Sequence, residues 1–426
     1  MPDAQPPFIR RHLEAPILTA LQDTPAVLVN GPRQCGKTTL VRTLAQQKGM
    51  DYLSLDDPNL LQTVKADPVG FTQRIDRAVI DEVQRAPDLL LALKASIDDD
   101  RRPGRFLLTG SANLMALPQI ADSLAGRIEV LNLLPLSQAE LAGRPADFLQ
   151  RAIAQDWPLE RGGQGTITQP SPSPPPDTNG GALIHHVLSG GYPEMRQRAT
   201  LARKTAWAQS YVTTLIERDI QDVARIDDAA RLPQLLALAA ALSAQTPNLN
   251  QIGGQLSLSG KTVERYLGIL EKIFLLRRLP AWSRHELNRL VKAPKLHFLD
   301  AGLQATLTRL TPALANTQRT RWGATLETWV YTELLKILTV TPEQWFTSYY
   351  RDKDQVEVDF VLESPLREII AIEVKASASV NAYDFKGIKR LRDQCGPGFL
   401  TGIVLYDGDS ALPFGSGLWA VPLQWL

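Results

Sequence analysis

Three groups of residues have the types and spacing to do chemistry. The first is Gly31-Pro32-Arg33-Gln34-Cys35-Gly36-Lys37-Thr38, which fits G-x-x-x-x-G-K-[ST] at every fixed position. Glycines there let backbone N–H groups turn inward on phosphate oxygens, and a helix starting near Lys37 adds its positive end. Lys37 would reach the β- and γ-phosphates of a nucleotide, and the Thr38 hydroxyl would hold Mg²⁺. Such a cradle needs a second acidic element at the tip of another buried strand. Ala78-Val79-Ile80-Asp81-Glu82 supplies it. Asp81 would orient the metal through its water shell, and Glu82 would polarise an attacking water. Adjacent carboxylates after an apolar run are costly unless a cation or solvent receives them.

Polar residues that could complete this site follow. Leu107-Leu108-Thr109-Gly110-Ser111 ends a further apolar run, so Thr109 or Ser111 would sense the γ-phosphate, or else would cap a turn. Arg127 could act as a finger on transition-state charge, from within the chain or from a neighbour, or could form a surface salt bridge. Cys35 lies at a variable loop position, where a redox switch and a bystander are both open readings.

The third group is C-terminal. Val356-Glu357-Val358-Asp359-Phe360 and Ala371-Ile372-Glu373-Val374-Lys375 alternate apolar and charged residues. Strand period two puts Glu357 and Asp359 on one face, and Glu373 and Lys375 on one face. As neighbouring strands they would gather Asp359, Glu373 and Lys375. Carboxylates could then hold a divalent metal while the lysine orients water against a phosphodiester. Glu327, in a helix beginning near Trp322, could add a ligand. The competing reading is the wet face of an edge strand.

These groups need elements to position them. Strand-like runs at Ala26–Asn30, Tyr52–Leu55, Ala78–Ile80 and Phe106–Leu108 alternate with helical patterns, including one from Lys37 and another over Pro87–Ile97. That alternation implies a parallel α/β sheet. Residues 162–181 are nearly all Gly, Pro, Ser, Thr, Gln and Asn, with five prolines between Pro170 and Pro176. Such sequence cannot build a core and reads as a solvated spacer. Residues 182–270 read mainly as helices, and the last hundred as mixed α and β.

Within the middle region, residues 249–300 look like a helix-turn-helix. Asn250–Leu256 and Gly260–Ile273 are the helices, Ser257–Ser259 the turn, and Phe274–Leu279 with Lys295–Leu299 a wing. Val263, Tyr266, Leu267 and Leu270 share one face at i, i+3, i+4, i+7. Nine basic and three acidic residues lie between Lys261 and Lys295. This is a phosphate footprint for DNA or RNA, or else a module packed against the nucleotide domain.

Composition bounds these readings. The 426 residues hold 46 Lys plus Arg and 45 Asp plus Glu, net +1, with 44 % apolar and 21 % charged residues. That excludes a disordered chain and a basic nucleic-acid coat. The neutral total hides a net −2 over 1–140, +7 over 141–320 and −4 over 321–426. Two cysteines exclude a disulfide framework and fit a reducing compartment. The longest wholly apolar run, Leu235–Leu242, is far short of a membrane span. With no apolar leader, the expectation is a cytoplasmic protein without membrane contact.

Together these residues resemble the prokaryotic ATPases of the AAA superfamily that carry a C-terminal domain of unknown function with a PD-(D/E)XK nuclease-like fold. The resemblance rests on GPRQCGKTTL at 31–40, VIDEVQRAP at 79–87, FLLTGSAN at 106–113 and SLAGRIEVLNLLPLSQAEL at 123–141. It continues through GGYPE at 190–194, IERDI at 216–220, KTVERYLGILEKIFLL at 261–276 and KLHFLDAGL at 295–303, ending with YYRDKDQVEVDFVL at 349–362 and IEVK at 372–375. It implies an α/β P-loop ATPase with a parallel sheet, then a helical winged-helix region and a C-terminal α/β restriction-endonuclease-like domain. It implies ATP and Mg²⁺ as cofactors, with ATP bound by Gly31 to Thr39. It places Glu327, Asp359, Glu373 and Lys375 in the nuclease-like site. The expected domains are 1–143 (ATPase), 144–181 (linker), 182–315 (helical, winged) and 316–426 (nuclease-like). The functions open are an ATPase driving or switching its attached modules, an ATP-gated nucleic-acid binder, a metal-dependent nuclease, and a regulatory scaffold. A homo-oligomer or protein partner is open as well, since Arg127 could act across a subunit boundary.

Overall fold

Buried apolar runs alternating with amphipathic helices should stack a parallel sheet between helical layers. The computed structural model of the chain, which describes residues 9–111, 126–158, 180–219, 229–284, 289 and 292–426, has this arrangement in its first region. The strands are β1 (Ala26–Asn30), β2 (Asp51–Ser54), β3 (Ala78–Asp81), β4 (Phe106–Gly110) and β5 (Ile128–Asn132). Their order is β2-β3-β4-β1-β5, every pairing parallel. This is an α/β P-loop fold. Successive side chains of a strand face opposite layers. Accordingly Ala26, Leu28, Ile80 and Leu108 pack into one core, while Val27, Val29, Val79 and Leu107 pack into the other. The sequence reading found four of these strands. It missed β5, where Glu129 interrupts the apolar run and the burial is only partial.

The middle region is helical. Helices Leu249–Leu256 and Gly260–Lys272 are joined by residues 257–259, with Ser257 left-handed at φ 55° and Ser259 capping the second helix through Thr262 N. Strands β6 (Leu276–Leu279) and β7 (Lys295–Phe298) follow as an antiparallel pair. All four residues of β7 are buried.

The C-terminal region is a mixed sheet of β8 (Phe346–Arg351), β9 (Glu357–Glu363), β10 (Ile369–Lys375), β11 (Phe399–Tyr406), β12 (Leu412–Pro413) and β13 (Leu418–Pro422). Its order is β12-β13-β11-β10-β9-β8. Helix Arg319–Val340 covers one face, over Phe360, Leu362, Ile370 and Ile372, and helix Lys386–Cys395 covers the other, over Val358, Val361 and Ala371.

Residues 144–158, placed in the linker on sequence, belong instead to this C-terminal core. Phe148 and Trp157 are buried with ring centroids 5.5 Å apart, and Trp157 meets Trp425 at 6.3 Å. Two large aromatic rings bury more area than a solvated spacer could leave exposed. The rest of that segment, through residue 179, lies outside the described residues. So do Ser123, Leu124 and Ala125 before Arg127. Among the described residues no helix is long and apolar enough to cross a membrane.

Candidate functional site

The loop after β1 takes its shape from its glycines. Gly36 caps the helix Lys37–Lys48 at φ 101°, a backbone angle that disfavours any side chain. A Cβ on Gly31 would stand 2.1 Å from the carbonyl oxygen of Leu133. The loop therefore passes tightly between β1 and the segment after β5, with the helix N-terminus directed at whatever it holds. Lys37 is 4 % exposed, and its Nζ donates to Gly31 O at 2.9 Å and Pro32 O at 2.8 Å.

Asp81 ends β3 beside this helix. One of its oxygens accepts from Thr38 Oγ1 at 2.9 Å and from the Tyr52 hydroxyl at 2.7 Å, and the other from Thr109 Oγ1. Burial and the bond to Asp81 raise the Tyr52 phenol above its ordinary range, so it stays a donor. Glu82 stands in a left-handed conformation at φ 62°, costing on the order of 1 kcal/mol. Its N–H donates to Thr109 Oγ1 at 2.9 Å, and its carboxylate accepts from the Gln84 amide. Gln84 in turn donates to Ser111 Oγ at 2.7 Å. Thr109 and Ser111 thus hold the acidic pair through direct bonds and through Gln84.

These residues fit Mg²⁺ and a nucleotide. A helix N-terminus, a buried lysine, and a Thr38–Asp81 pair presenting hard oxygens are what such a ligand needs. Sequence reasoning missed Tyr52 and Gln84, whose spacing to the motif carries no signal. It also missed Arg11, which donates to Cys35 O at 2.7 Å, Leu134 O at 2.6 Å and Glu140 at 3.0 Å, fastening the loop from outside. Tyr211 of the middle region, stacked on Trp207, donates to Arg33 O at 3.0 Å. Cys35 is buried with its Sγ 3.3 Å from Leu133 O, a packing position inaccessible to oxidants.

Arg127 is not in this site. It precedes β5, whose first residue pairs with Ala26 at the start of β1, so it lies at the opposite end of the strands from Gly31. Its Nε and Nη2 donate to the two oxygens of Asp98 at 2.8 and 2.9 Å, which lowers the Asp98 carboxyl below the usual range. The finger within the chain is corrected to a salt bridge.

In the C-terminal region Asp359 and Glu373 follow the last antiparallel pair of β9 and β10, Phe360 with Ile372. They meet as the alternation predicted, and Asp359 Oδ2 accepts from Val374 N at 2.8 Å. Lys375 donates to Glu373 at 3.0 Å. The residue that sequence reasoning missed is Lys295, carried in from β7. Its ammonium lies 2.8 Å from Glu327, is bonded to Glu357, and stands 3.7 Å from Asp359. Burial would lower this ammonium, but the carboxylates of Glu327, Asp359 and Glu357 outweigh it and hold the group charged. Burial and the neighbouring Asp359 charge raise Glu327 well above its usual range and push Glu373 up to about 8. His297, fully buried beside Lys295, is held neutral by burial and by that positive charge.

A divalent metal on Glu327, Asp359 and Glu373 does not fit this arrangement, since a lysine ammonium already sits within 4 Å of two of them. Among the described residues no group of three or more His, Cys, Asp or Glu is spaced to hold a metal. The basic footprint of 249–300 is also reduced. Arg278 donates to Glu271 at 2.9 Å and also meets Glu264, Arg289 pairs with Glu363 at 2.6 Å, and Lys295 is buried. Glu286 lies outside the described residues.

Comparison with known proteins agrees with the first region. Residues 23–142 match the model of an AAA domain, and residues 181–314 and 322–426 match two further domains, each of unknown function. Two uncharacterized proteins, from Mycobacterium tuberculosis and Mycobacterium bovis, are 28 % identical over 356 residues, spanning 83 % of this chain and 71 % of each relative. Among solved structures, the Walker-type ATPase of Pyrococcus abyssi is 14 % identical, covering 70 % of this chain and 96 % of that one, with a TM-score of 0.41. A RuvB mutant of Thermotoga maritima is 18 % identical, covering 63 % and 89 %, with a TM-score of 0.30. The sheet, the loop and the AAA match make the first region an AAA-type, ATPase-like domain.

Proposed function

We propose that the protein binds and hydrolyses Mg-ATP at Gly31–Thr39 and uses the cycle to drive or switch its middle and C-terminal regions. One observation carries the reading: Thr38 and Asp81, the two expected metal-side residues, are hydrogen-bonded at 2.9 Å over a glycine-shaped loop. Bound Mg²⁺ would neutralise developing phosphate charge. Lys37 would bind the phosphates, exchanging two backbone carbonyls for them. Thr38 and Asp81 would hold the metal side, and Glu82 would take the proton of the attacking water. Thr109, Ser111 and Gln84 are positioning residues for that base. The Tyr211 bond to Arg33 O lets the middle region feel the loop directly.

A second reading adds nucleic acid as the target. It rests on helix Gly260–Lys272, which follows a three-residue turn and exposes Lys261 and Arg265. In this reading 182–315 is a winged helix and the C-terminal region has the restriction-endonuclease-like fold. One experiment tests both: phosphate release from Mg-ATP by wild type and Lys37→Ala, with and without single- and double-stranded DNA. Removing Lys37 should cost about 10²-fold or more, as for other donors aimed at developing charge. Full hydrolysis by Lys37→Ala would sink the ATPase. A wild-type rate indifferent to DNA, with no salt-sensitive DNA binding, would remove the nucleic-acid reading.

A further inference from the structure

An acidic cluster in a fold of this kind invites a metal, but here the cluster contains its own cation. Lys295 is 3 % exposed and comes from β7, outside the sheet that carries Glu357 and Asp359 and outside the helix that carries Glu327. Its Nζ has carboxylates on three sides and the Tyr349 ring at 5.4 Å. Beyond it His297 packs against Tyr331 and Phe360, centroids 4.6 and 5.9 Å away, and seals the apolar side. The remaining carboxylate, Glu373, has its own lysine in Lys375.

The described residues between β6 and β7 are stitched along the same sheet. Trp282 N donates to Tyr349 O at 2.6 Å and Tyr349 N to Pro280 O at 3.0 Å, so the chain after β6 extends the β8 edge. The Tyr349 hydroxyl donates to Ala293 O at 2.6 Å, Lys292 Nζ to Arg351 O at 3.1 Å, and Arg289 to Glu363 at 2.6 Å. Every one of these contacts joins the middle region to the C-terminal sheet. A buried ammonium needs carboxylates as much as they need it, because either left alone carries an uncompensated charge.

We infer that the C-terminal carboxylate centre is built around Lys295 as a resident cation in place of a metal, and that β6–β7 is thereby a clasp fixing the middle region to the C-terminal sheet. The centre is then an internal joint. This inference is independent of the nucleotide reading and stands or falls without ATP.

The test titrates Mn²⁺ alone, without nucleotide, into the full chain and follows the free-ion electron-resonance signal. Wild type is expected to show no stoichiometric site. Lys295→Ala is expected to gain one, and the further change Asp359→Asn to remove it. A wild-type site that Asp359→Asn abolishes would overturn the inference, and this arm decides even where Lys295→Ala fails to fold. The clasp has its own readout in backbone hydrogen exchange of the folded variant Glu327→Gln. Residues 281, 282 and 295–298 should exchange faster than in wild type, with helix Lys37–Lys48 unaltered. Unchanged exchange over those two segments would overturn the clasp.

Discussion

In the nucleotide site Asp81 accepts from three hydroxyls, those of Thr38, Tyr52 and Thr109, while the nearby Lys37 is turned onto backbone carbonyls. In the C-terminal centre Glu327, Glu357 and Asp359 share the ammonium of Lys295. The residue types are nearly the same. A carboxylate bonded to neutral hydroxyls keeps its charge, and a hydroxyl can rotate its oxygen toward an arriving cation. A carboxylate bonded to a buried ammonium has spent its charge, and nothing can enter without removing the lysine. The first arrangement is suited to exchange ligands and the second to stay closed.

The largest effect should come from breaking the nucleotide site at its base. Glu82→Gln keeps the shape and a bond to Gln84 but cannot take a proton. Mg-ATP hydrolysis should fall between about 10²- and 10⁴-fold, while binding of a fluorescent ATP analogue is retained. Glu357→Gln, the corresponding change in the C-terminal centre, should leave hydrolysis near the wild-type rate. Equal losses from both would show that the two sites act as one and would erase the contrast.

The contrast explains what the sequence reveals and what it hides. The nucleotide loop is legible because its requirements are local: Gly36 at positive φ, a lysine and a threonine at a helix start, and an acidic pair closing an apolar strand. The nearness of Asp359 to Glu373 was legible too, since alternation fixes the face once β9 and β10 are neighbours. Lys295 was not. In the sequence it is one of nine basic residues between Lys261 and Lys295, and its partners lie 32 to 64 positions away with no local pattern to link them. Tyr211 and Arg11 were hidden for the same reason, joined to the loop only by tertiary folding. Partial burial concealed β5, and the aromatic pair Phe148 and Trp157 looked like part of a linker because it runs straight into the Pro-, Ser- and Gly-rich stretch 162–181.

A smaller effect should appear in the pH dependence of stability. Burial, and then the Asp359 charge, push Glu373 up to about 8 from an ordinary 4.5. The folded protein therefore binds more protons than the unfolded chain between those values, and stability falls as pH rises through that window. The contribution is fully present below about 4.5 and lost above about 8. Glu373→Gln removes the titration. Its urea midpoint should be less dependent on pH from 4.5 to 8 than that of wild type, and higher than wild type at pH 9. The opposite slope, with wild type gaining stability over the window through this residue, would mean that Glu373 is held ionised by a cation, as a metal ligand would be. That outcome would make the two sites alike.

The smallest effect is expected from Arg127→Ala. β1 has five residues. At ~3.3 Å per residue it holds its two ends roughly 15 Å apart. Arg127 stands at one end, paired with Asp98, and the loop Gly31–Thr39 at the other. The side chain cannot reach a phosphate held by its own subunit. Steady-state hydrolysis at low protein concentration should therefore stay within about twofold of wild type, against the ~10³-fold or more that an arginine finger supplies. A loss of that size would require the Asp98 pair to break and the arginine to enter another copy's site. Hydrolysis by wild type would then rise with protein concentration, and that rise would vanish in the variant. A loss independent of concentration would contradict the strand register itself, because no rotation of one side chain carries it from the start of β5 to the far end of β1.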